Sequence, residues 1–182
     1  MAKLKIYTTP SKVLRKRTQT VESIDSETKQ NINDMLETLR SLPGYGIAAP
    51  QLGISKKIVI IENPQTTDEE GNIINEGLPS LILVNPKIVK FSSAKCEFEE
   101  GCFSVPDYRA NITRPIKIRV EATNELGKKI KINTSGLLSR VLQHEIDHLD
   151  GILFIDYVTN KKDLIPNKPD ESWQKMIATN EK

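Results

Sequence analysis

The sequence of 182 residues contains no hydrophobic run that approaches the roughly 18 residues a helix needs to cross a bilayer. Its first residues also lack the apolar stretch of a secretory signal. Neither sign of charge dominates, with 26 Lys and Arg against 24 Asp and Glu, so bulk nucleic acid and anionic membranes are not expected partners. These absences favour a cytoplasmic globular protein that contacts no membrane and no specific DNA.

Cysteine is also scarce, with only Cys96 and Cys102 in the whole chain. A chain of this length can fold as one domain, residues 1–182, around its own hydrophobic core without disulfides. A reduced compartment is therefore expected, where a thiol is free to bind a metal. We interpret Cys96, which has no distinctive neighbours, as a small core residue.

The two histidines, His144 and His148, lie four positions apart with Glu145 between them. Thr134 or Ser135 can cap a helix over 137–150, and Gly151 suits its C-terminal end. Residues four apart share one helix face, so both imidazoles can bind one metal while Glu145 reaches a bound water. The alternative is two histidines held by ordinary hydrogen bonds, and the supported helical context favours the metal site.

The identity of the third metal ligand distinguishes the classes of metal hydrolase. One class adds Gly and a third His to this motif, but here Phe154 stands at the histidine position and cannot bind metal. A class that uses a Glu from a later helix fits poorly, because the few acids after His148 lie near two prolines or in a short tail. Cys102 remains, after Gly101, which permits an unusual turn. One Cys and two His leave a fourth position open, as in catalytic sites.

The hydrophobic pattern predicts an α+β domain, with short, mostly antiparallel strands in small sheets around a central helix that carries the histidines. One further amphipathic helix is expected from Asp25 or Ser26 to about Leu42. Expected strands cover 57–62, 81–84, 88–91, 117–121 and 129–133, the last two forming a hairpin. Residues 63–79 are expected to be a polar loop, and a short helix is possible from Asp170.

Three segments together resemble the motifs of the peptide deformylases, in the same order and at similar separations. They are GYGIAAPQ at 44–51, EGCFS at 100–104 and QHEIDHLDG at 143–151. The start, from Leu4 to Arg15, is similar too, so the resemblance covers about residues 4–158 and leaves a tail, 159–182, unmatched. Because the family domain begins within the basic first 20 residues, an ordered arm is favoured there over a transit peptide.

The resemblance implies a metal-dependent hydrolase that removes the formyl group from the N-terminal formylmethionine of nascent chains and releases formate. It implies a divalent ion, commonly Fe²⁺ with Zn²⁺, Ni²⁺ or Co²⁺ as substitutes, bound by Cys102, His144 and His148. Glu145 is then the base that takes a proton from the attacking water. The side-chain amide of Gln51 and the backbone N–H of Phe103 are the donors to the developing oxyanion.

The resemblance also implies where the substrate lies. Its extended backbone is expected beside Tyr45, Gly46 and Gly101. The matching positions for the methionine side chain are Phe98, Leu137, Arg140 and Val141, with Arg140 contributing its aliphatic stem. Arg109 matches a position near the peptide, although it can equally be a surface ion-pair residue. Tyr45 and Phe103 replace residues that are commoner in the family, which leaves the side-chain preference open.

Two other functions remain possible at this point. A relative could hydrolyse another small amide or peptide, and a non-catalytic relative could bind only metal or peptide. The presence of Glu145, Gln51 and all three ligand residues disfavours the non-catalytic alternative. Six basic residues and no acid within residues 1–20 further suggest a transient contact with the ribosome.

Overall fold

The computed structural model describes residues 3–64, 66–68, 70, 73–75 and 77–168. Its two α-helices are α1 (Ser26–Arg40) and α2 (Gly136–Leu149). Its strands are β1 (Gly46–Ala48), β2 (Ile58–Asn63), β3 (Thr66–Thr67), β4 (Ile73–Asn75), β5 (Leu78–Phe91), β6 (Lys95–Cys102), β7 (Val105–Pro115), β8 (Lys117–Thr123), β9 (Lys129–Ser135) and β10 (Ile165–Pro166). Short 3₁₀ turns occupy Lys12–Arg15, Ala49–Leu52, Phe154–Tyr157 and Lys161–Asp163.

Helix α1 forms where its apolar spacing predicts it. The Asp25 carboxylate caps the helix by accepting from the backbone N–H of Thr28 at 2.8 Å. Ile32, Met35 and Leu39 recur at helical spacing and are almost fully buried against the sheet side of the core. The helix ends at Arg40, two residues earlier than expected.

The larger sheet has the order β1-β2-β5-β8-β9, and all its pairs are antiparallel. The expected break between strands 81–84 and 88–91 is wrong, because β5 runs through Asn85 and Pro86 as one strand with a shifted register. Asn85 takes a left-handed conformation (φ 52°), and its side chain bonds to both backbone groups of Val21. The 63–79 segment is also not purely loop, since β3 and β4 pair within it.

The smaller sheet has the order β10-β7-β6. β6 and β7 form a hairpin in which Gly101 pairs with Arg109 and Cys102 pairs with Val105. Gly101 is not among the described residues with positive φ, but the register of the hairpin shifts between Gly101 and Cys102, so the backbone is irregular where the sequence predicted an unusual turn. A Cβ at Gly101 would lie 3.4 Å from Cγ of Arg109, an ordinary van der Waals distance, so packing against Arg109 does not by itself require glycine there.

Helix α2 packs against the larger sheet through Val141, Leu142 and Ile146. It begins after Ser135 and ends before Gly151, whose φ of 76° is the left-handed conformation expected of a C-terminal glycine. The N-terminal arm crosses this end of the helix. The backbone N–H and the hydroxyl of Thr18 both donate to Leu149 O at 2.9 Å, and a Cβ at Gly151 would lie 2.7 Å from the backbone of Arg15.

The α+β class predicted from the sequence is confirmed, with the helix that carries both histidines at the centre of the core. Among the residues that the structure describes, no helix is long and apolar enough to cross a membrane. The possible helix from Asp170 lies outside the described residues.

Candidate metal centre and active-site cavity

The three predicted ligand residues lie close together, where the end of β6 meets helix α2. Cys102 ends β6, while His144 and His148 lie on successive turns of α2. Their ligand atoms all lie within 4.8 Å of one another, and all three residues are buried. The Cys102 Sγ lies 3.3 Å from Nε2 of His148. One sulfur and two imidazole nitrogens in this arrangement can bind a single divalent ion.

The residues around the trio fix its orientation. The backbone N–H of Ser104, in the hairpin turn after Cys102, donates to the sulfur at 3.4 Å. Phe154 stacks on the ring of His144, with a centroid distance of 6.2 Å and an interplanar angle of 23°. The residue that occupies the third-histidine position of another hydrolase class therefore forms part of the wall of this site.

Glu100 fixes the orientation of the His144 ring through a hydrogen bond. Its Oε2 lies 2.9 Å from Nδ1 of His144, and because a carboxylate can only accept, Nδ1 carries the proton and Nε2 keeps its lone pair for a metal. Arg114 donates to both Glu100 oxygens at 2.7 and 3.0 Å, and Arg140 donates to Oε1 at 2.9 Å. Burial alone would raise the pKa of Glu100, but the bonds from His144 and Arg114 lower it to about 2.

Glu145 faces the cavity without a fixed partner. It is almost fully buried, and its Oε2 has no hydrogen-bond partner in the described part of the chain. Burial raises the pKa of this carboxyl to about 7, while the charge of His144 acts in the opposite direction. A carboxyl that titrates near neutrality can both accept and return a proton.

Gln51 presents its amide N–H groups to the site. Its Oε1 accepts from the backbone N–H of Ala48 at 2.8 Å, which fixes which end of the amide points inward. Nε2 then lies 3.3 Å from Oγ of Ser104 and 3.5 Å from Sγ of Cys102. The amide is therefore held as a donor beside the candidate metal ligands.

These groups open onto a cavity of about 280 Å³. Its lining includes every site residue predicted from the sequence except the almost fully buried His148: Tyr45, Gly46, Gln51, Phe98, Gly101, Cys102, Phe103, Arg109, Leu137, Arg140, Val141, His144 and Glu145. Tyr45, Phe98 and Leu137 are the more exposed members. The roles assigned to these residues remain predictions.

Two expectations about individual residues need revision. Cys96 is exposed, so its assignment to the core is wrong; it lies on β6, where its backbone O accepts from Arg140 at 2.8 Å. Arg140 contributes more than its stem, because its buried guanidinium also bonds to Glu100 and to the backbone O of Ile112. Arg109 forms the ion pair that was one of its two expected roles, with Glu99 at 3.0 Å, and it also lines the cavity, where its contact with a peptide stays a prediction.

Sequence reasoning missed three residues of the site. Glu100 enters the sequence analysis only as part of a motif. Its position two residues before Cys102 on a strand places both side chains on the same face, and this was a usable signal that Glu100 lies near the site. Arg114 lies 14 positions from Glu100, and only the hairpin pairing brings them together. Asn167 lines the cavity from the tail, where no sequence signal marked it.

The residues present fit a divalent metal. A buried thiol, two buried imidazoles and a buried carboxylate oxygen without a described partner would be unfavourable together unless a cation and its water satisfied them.

Comparisons with known proteins agree with this geometry. The sequence model of a family described as polypeptide deformylase matches residues 3–164. A peptide deformylase of Picosynechococcus is 42% identical over 158 residues, 87% of this chain and 80% of the relative. A crystal structure of a peptide deformylase from Synechococcus elongatus with actinonin is 36% identical, has a TM-score of 0.77 and matches over 90% of this chain and 84% of that one. A class I type b peptide deformylase from Acinetobacter baumannii, bound to Met-Ala-Ser, is 31% identical, has a TM-score of 0.77 and matches over 86% and 99% of the two chains.

Proposed function

Since the chain belongs to the peptide deformylase family, and is thus an enzyme that removes the N-formyl group from formylated nascent polypeptides, we propose how its own residues perform this hydrolysis. The observation that carries the proposal is that Glu145, whose Oε2 has no partner among the described residues, lines the same cavity as Cys102 and His144, with His148 buried within 4.8 Å of both ligand atoms.

Cys102, His144 and His148 would hold one divalent ion, Fe²⁺ in the native protein with Zn²⁺, Ni²⁺ or Co²⁺ as substitutes. The ion would polarise the formyl oxygen and make water a better nucleophile. The Glu100 carboxylate keeps the His144 ring in the required tautomer.

Glu145 is the proposed general base. It takes a proton from the water whose oxygen bonds to the formyl carbon, and it returns that proton to the nitrogen as the carbon–nitrogen bond breaks. The products are formate and a free amino terminus. The raised pKa of Glu145 suits both transfers.

Gln51 and Phe103 are the proposed donors to the oxyanion. The amide of Gln51 is supported by its fixed orientation toward Cys102. Phe103 would donate through its backbone N–H, so this role does not depend on its ring. That ring packs over Gly44, where a Cβ would lie 2.4 Å from it.

The substrate would enter as an extended strand beside Tyr45, Gly46 and Gly101. Gly46 is tightly enclosed, since a Cβ there would lie 3.1 Å from Oε1 of Glu145, and the missing side chain lets a peptide backbone come close to the base. The methionine side chain would occupy the apolar part of the cavity, formed by Phe98, Leu137, Arg140 and Val141. The relative from Acinetobacter baumannii was crystallised with Met-Ala-Ser bound, which supports peptide binding by this chain.

The protein would act in the cytoplasm as a single catalytic domain spanning 1–182, without binding specific DNA. A transient ribosome contact through the N-terminal arm is supported by the exposure of its six basic residues, Lys3, Lys5, Lys12, Arg15, Lys16 and Arg17. Arg15 is a weaker candidate than the others because it pairs with Asp156.

The test measures metal content and formate release on the same oxygen-free preparation, with formyl-Met-Ala-Ser as substrate. Glu145→Gln should keep its metal and lose formate release by at least about 100-fold. Glu97→Gln, an exposed carboxylate on β6, is the matched control and should behave as wild type. Metal-loaded wild-type protein that releases no formate would reject the proposal.

A further inference from the structure

The tail segment that contains Asn167 is fixed to the small sheet beside the cavity. β10 pairs with β7, placing Ile165 opposite Arg109 and Pro166 opposite Tyr108. One residue later, the backbone N–H of Asn167 donates to Asp107 O at 2.9 Å. After helix α2 and two 3₁₀ turns, the chain therefore returns to the small sheet whose strand β7 contains the cavity-lining Arg109.

The side chain of Asn167 is held in one orientation. Its Nδ2 donates to the backbone O of Pro106 at 2.7 Å, so the amide oxygen, Oδ1, is directed away from that carbonyl. Oδ1 is buried and has no hydrogen-bond partner among the described residues, although Asn167 lines the cavity. A buried amide oxygen in this state is an acceptor that lacks its donor.

Arg109 provides the complementary group on the adjacent strand. Its Nη1 is engaged with Glu99, but its Nε is buried and likewise has no partner in the described ranges. Arg109 packs over Gly101, one residue before Cys102, and lines the same cavity. Two residues that line the cavity thus each carry one buried polar atom, an acceptor on Asn167 and a donor on Arg109, for which the described ranges provide no partner.

We propose that Asn167 is a substrate-binding residue that accepts a hydrogen bond from a backbone N–H of the peptide downstream of formylmethionine, with Arg109 donating to a neighbouring carbonyl. A peptide unit carries one N–H and one C=O, which is the complement of these two groups. The inference rests on the proposed function and adds a subsite that depends on the tail. It makes affinity depend on substrate length, while chemistry at the formyl group does not depend on Asn167.

The first experiment compares formylmethionine methyl ester, which has neither a downstream residue nor a downstream N–H, with formyl-Met-Ala-Ser. Asn167→Ala should raise KM for the longer substrate by about 3- to 10-fold, the effect of one net hydrogen bond. Its KM for formylmethionine methyl ester and its kcat on both substrates should stay at wild-type values. Lys168→Ala, the exposed next residue, is the matched control and should change neither KM.

The second experiment separates a lost contact from a displaced tail. N-methylation at the Ala or Ser nitrogen of the longer peptide removes one N–H at a time. At one of the two positions, N-methylation should cost the wild-type enzyme several-fold in KM and cost Asn167→Ala nothing further. If N-methylation at each position raised KM as much for Asn167→Ala as for the wild type, the proposal would be overturned. An equal rise in KM on both substrates caused by Asn167→Ala would overturn it too. Wild-type protein that hydrolyses neither substrate would instead reject the deformylase assignment, and this inference with it.

Discussion

Replacing Glu100 by Gln should both destabilise the fold and weaken the metal site, although Glu100 is not a metal ligand. The substitution keeps the shape of the side chain but removes one acceptor and the negative charge. Of the two buried arginines, Arg114 would keep Asp147 as a carboxylate partner, whereas Arg140 would have none among the described residues. The N–H groups of the new side-chain amide would also face N–H groups of Arg114 or Arg140, which in the wild type donate to the Glu100 oxygens.

The expected cost follows from burial. Breaking a buried ion pair by removing one partner typically costs about 3–5 kcal/mol, because the remaining charge stays desolvated. The pKa of Glu100 gives an independent figure, since the difference between its ordinary value of 4.5 and about 2 corresponds to about 3 kcal/mol. Loss of the hydrogen bond to His144 should reduce metal affinity by about 10- to 100-fold.

Guanidinium unfolding of the metal-free proteins at pH 7 measures the loss of folding stability, and chelator competition measures the loss of metal affinity. Because the pKa of Glu100 is lowered on folding, its contribution is complete above pH 4.5 and is lost as the pH falls toward 2. The stability gap between wild type and Glu100→Gln should therefore narrow over that range. Glu99→Gln, which removes a partly exposed pair with Arg109, should cost less than about 1 kcal/mol. A variant of Glu100 as stable as Glu99→Gln, with unchanged metal affinity, would refute the reasoning.

Four further outcomes follow from the site. Cys102→Ser should bind metal at least about tenfold more weakly in a chelator competition, because a hydroxyl is a poorer ligand than a thiolate; unchanged affinity would exclude Cys102 as a ligand. Gln51→Ala should lower kcat by about 10²- to 10³-fold in a formate assay, with little change in KM, and a normal kcat would remove Gln51 from the oxyanion site. Gly46→Ala should lower kcat by about 100-fold, since its Cβ would lie 3.0 Å from Cγ of Glu145 and displace the base; a normal rate would show that the strand can move. The pH profile of kcat/KM should fall on the acid side, at or below about pH 7, as Glu145 becomes protonated, because its pKa is about 7 and a bound cation lowers it; a flat profile down to pH 4 would contradict its role as base.

Local sequence signals predicted the two described helices and the shared face of the two histidines because both depend on short-range spacing. Asp25 and Gly151 mark helix ends through their own backbone preferences, and two histidines four apart must share a face. Elimination of other ligand types added Cys102, and the resemblance added Gln51. The cavity brings these residues together, although which of them bind and react remains to be tested.

Features that depend on long-range pairing escaped the sequence. Asn85-Pro86 looked like a strand break, but the Asn85 side chain substitutes for lost ladder bonds by pairing with Val21, 64 residues away. Cys96 looked like a core residue because cysteine is usually buried, yet it falls on the exposed part of β6. Asn167 could not be assigned, since its role depends on β10 pairing with β7.

The contact between Thr18 and Leu149 has a consequence for how the enzyme is made. The two residues are separated by 131 positions, so this contact forms only after most of the chain has been translated, whereas Tyr7 and Gln19 of the same arm bond to the earlier residues Gln51 and Ser55. His148, the last of the three candidate ligands, is added just one residue earlier than Leu149. The candidate metal cluster and the last contact of the arm are therefore completed together, and a nascent chain that stops before this point lacks both.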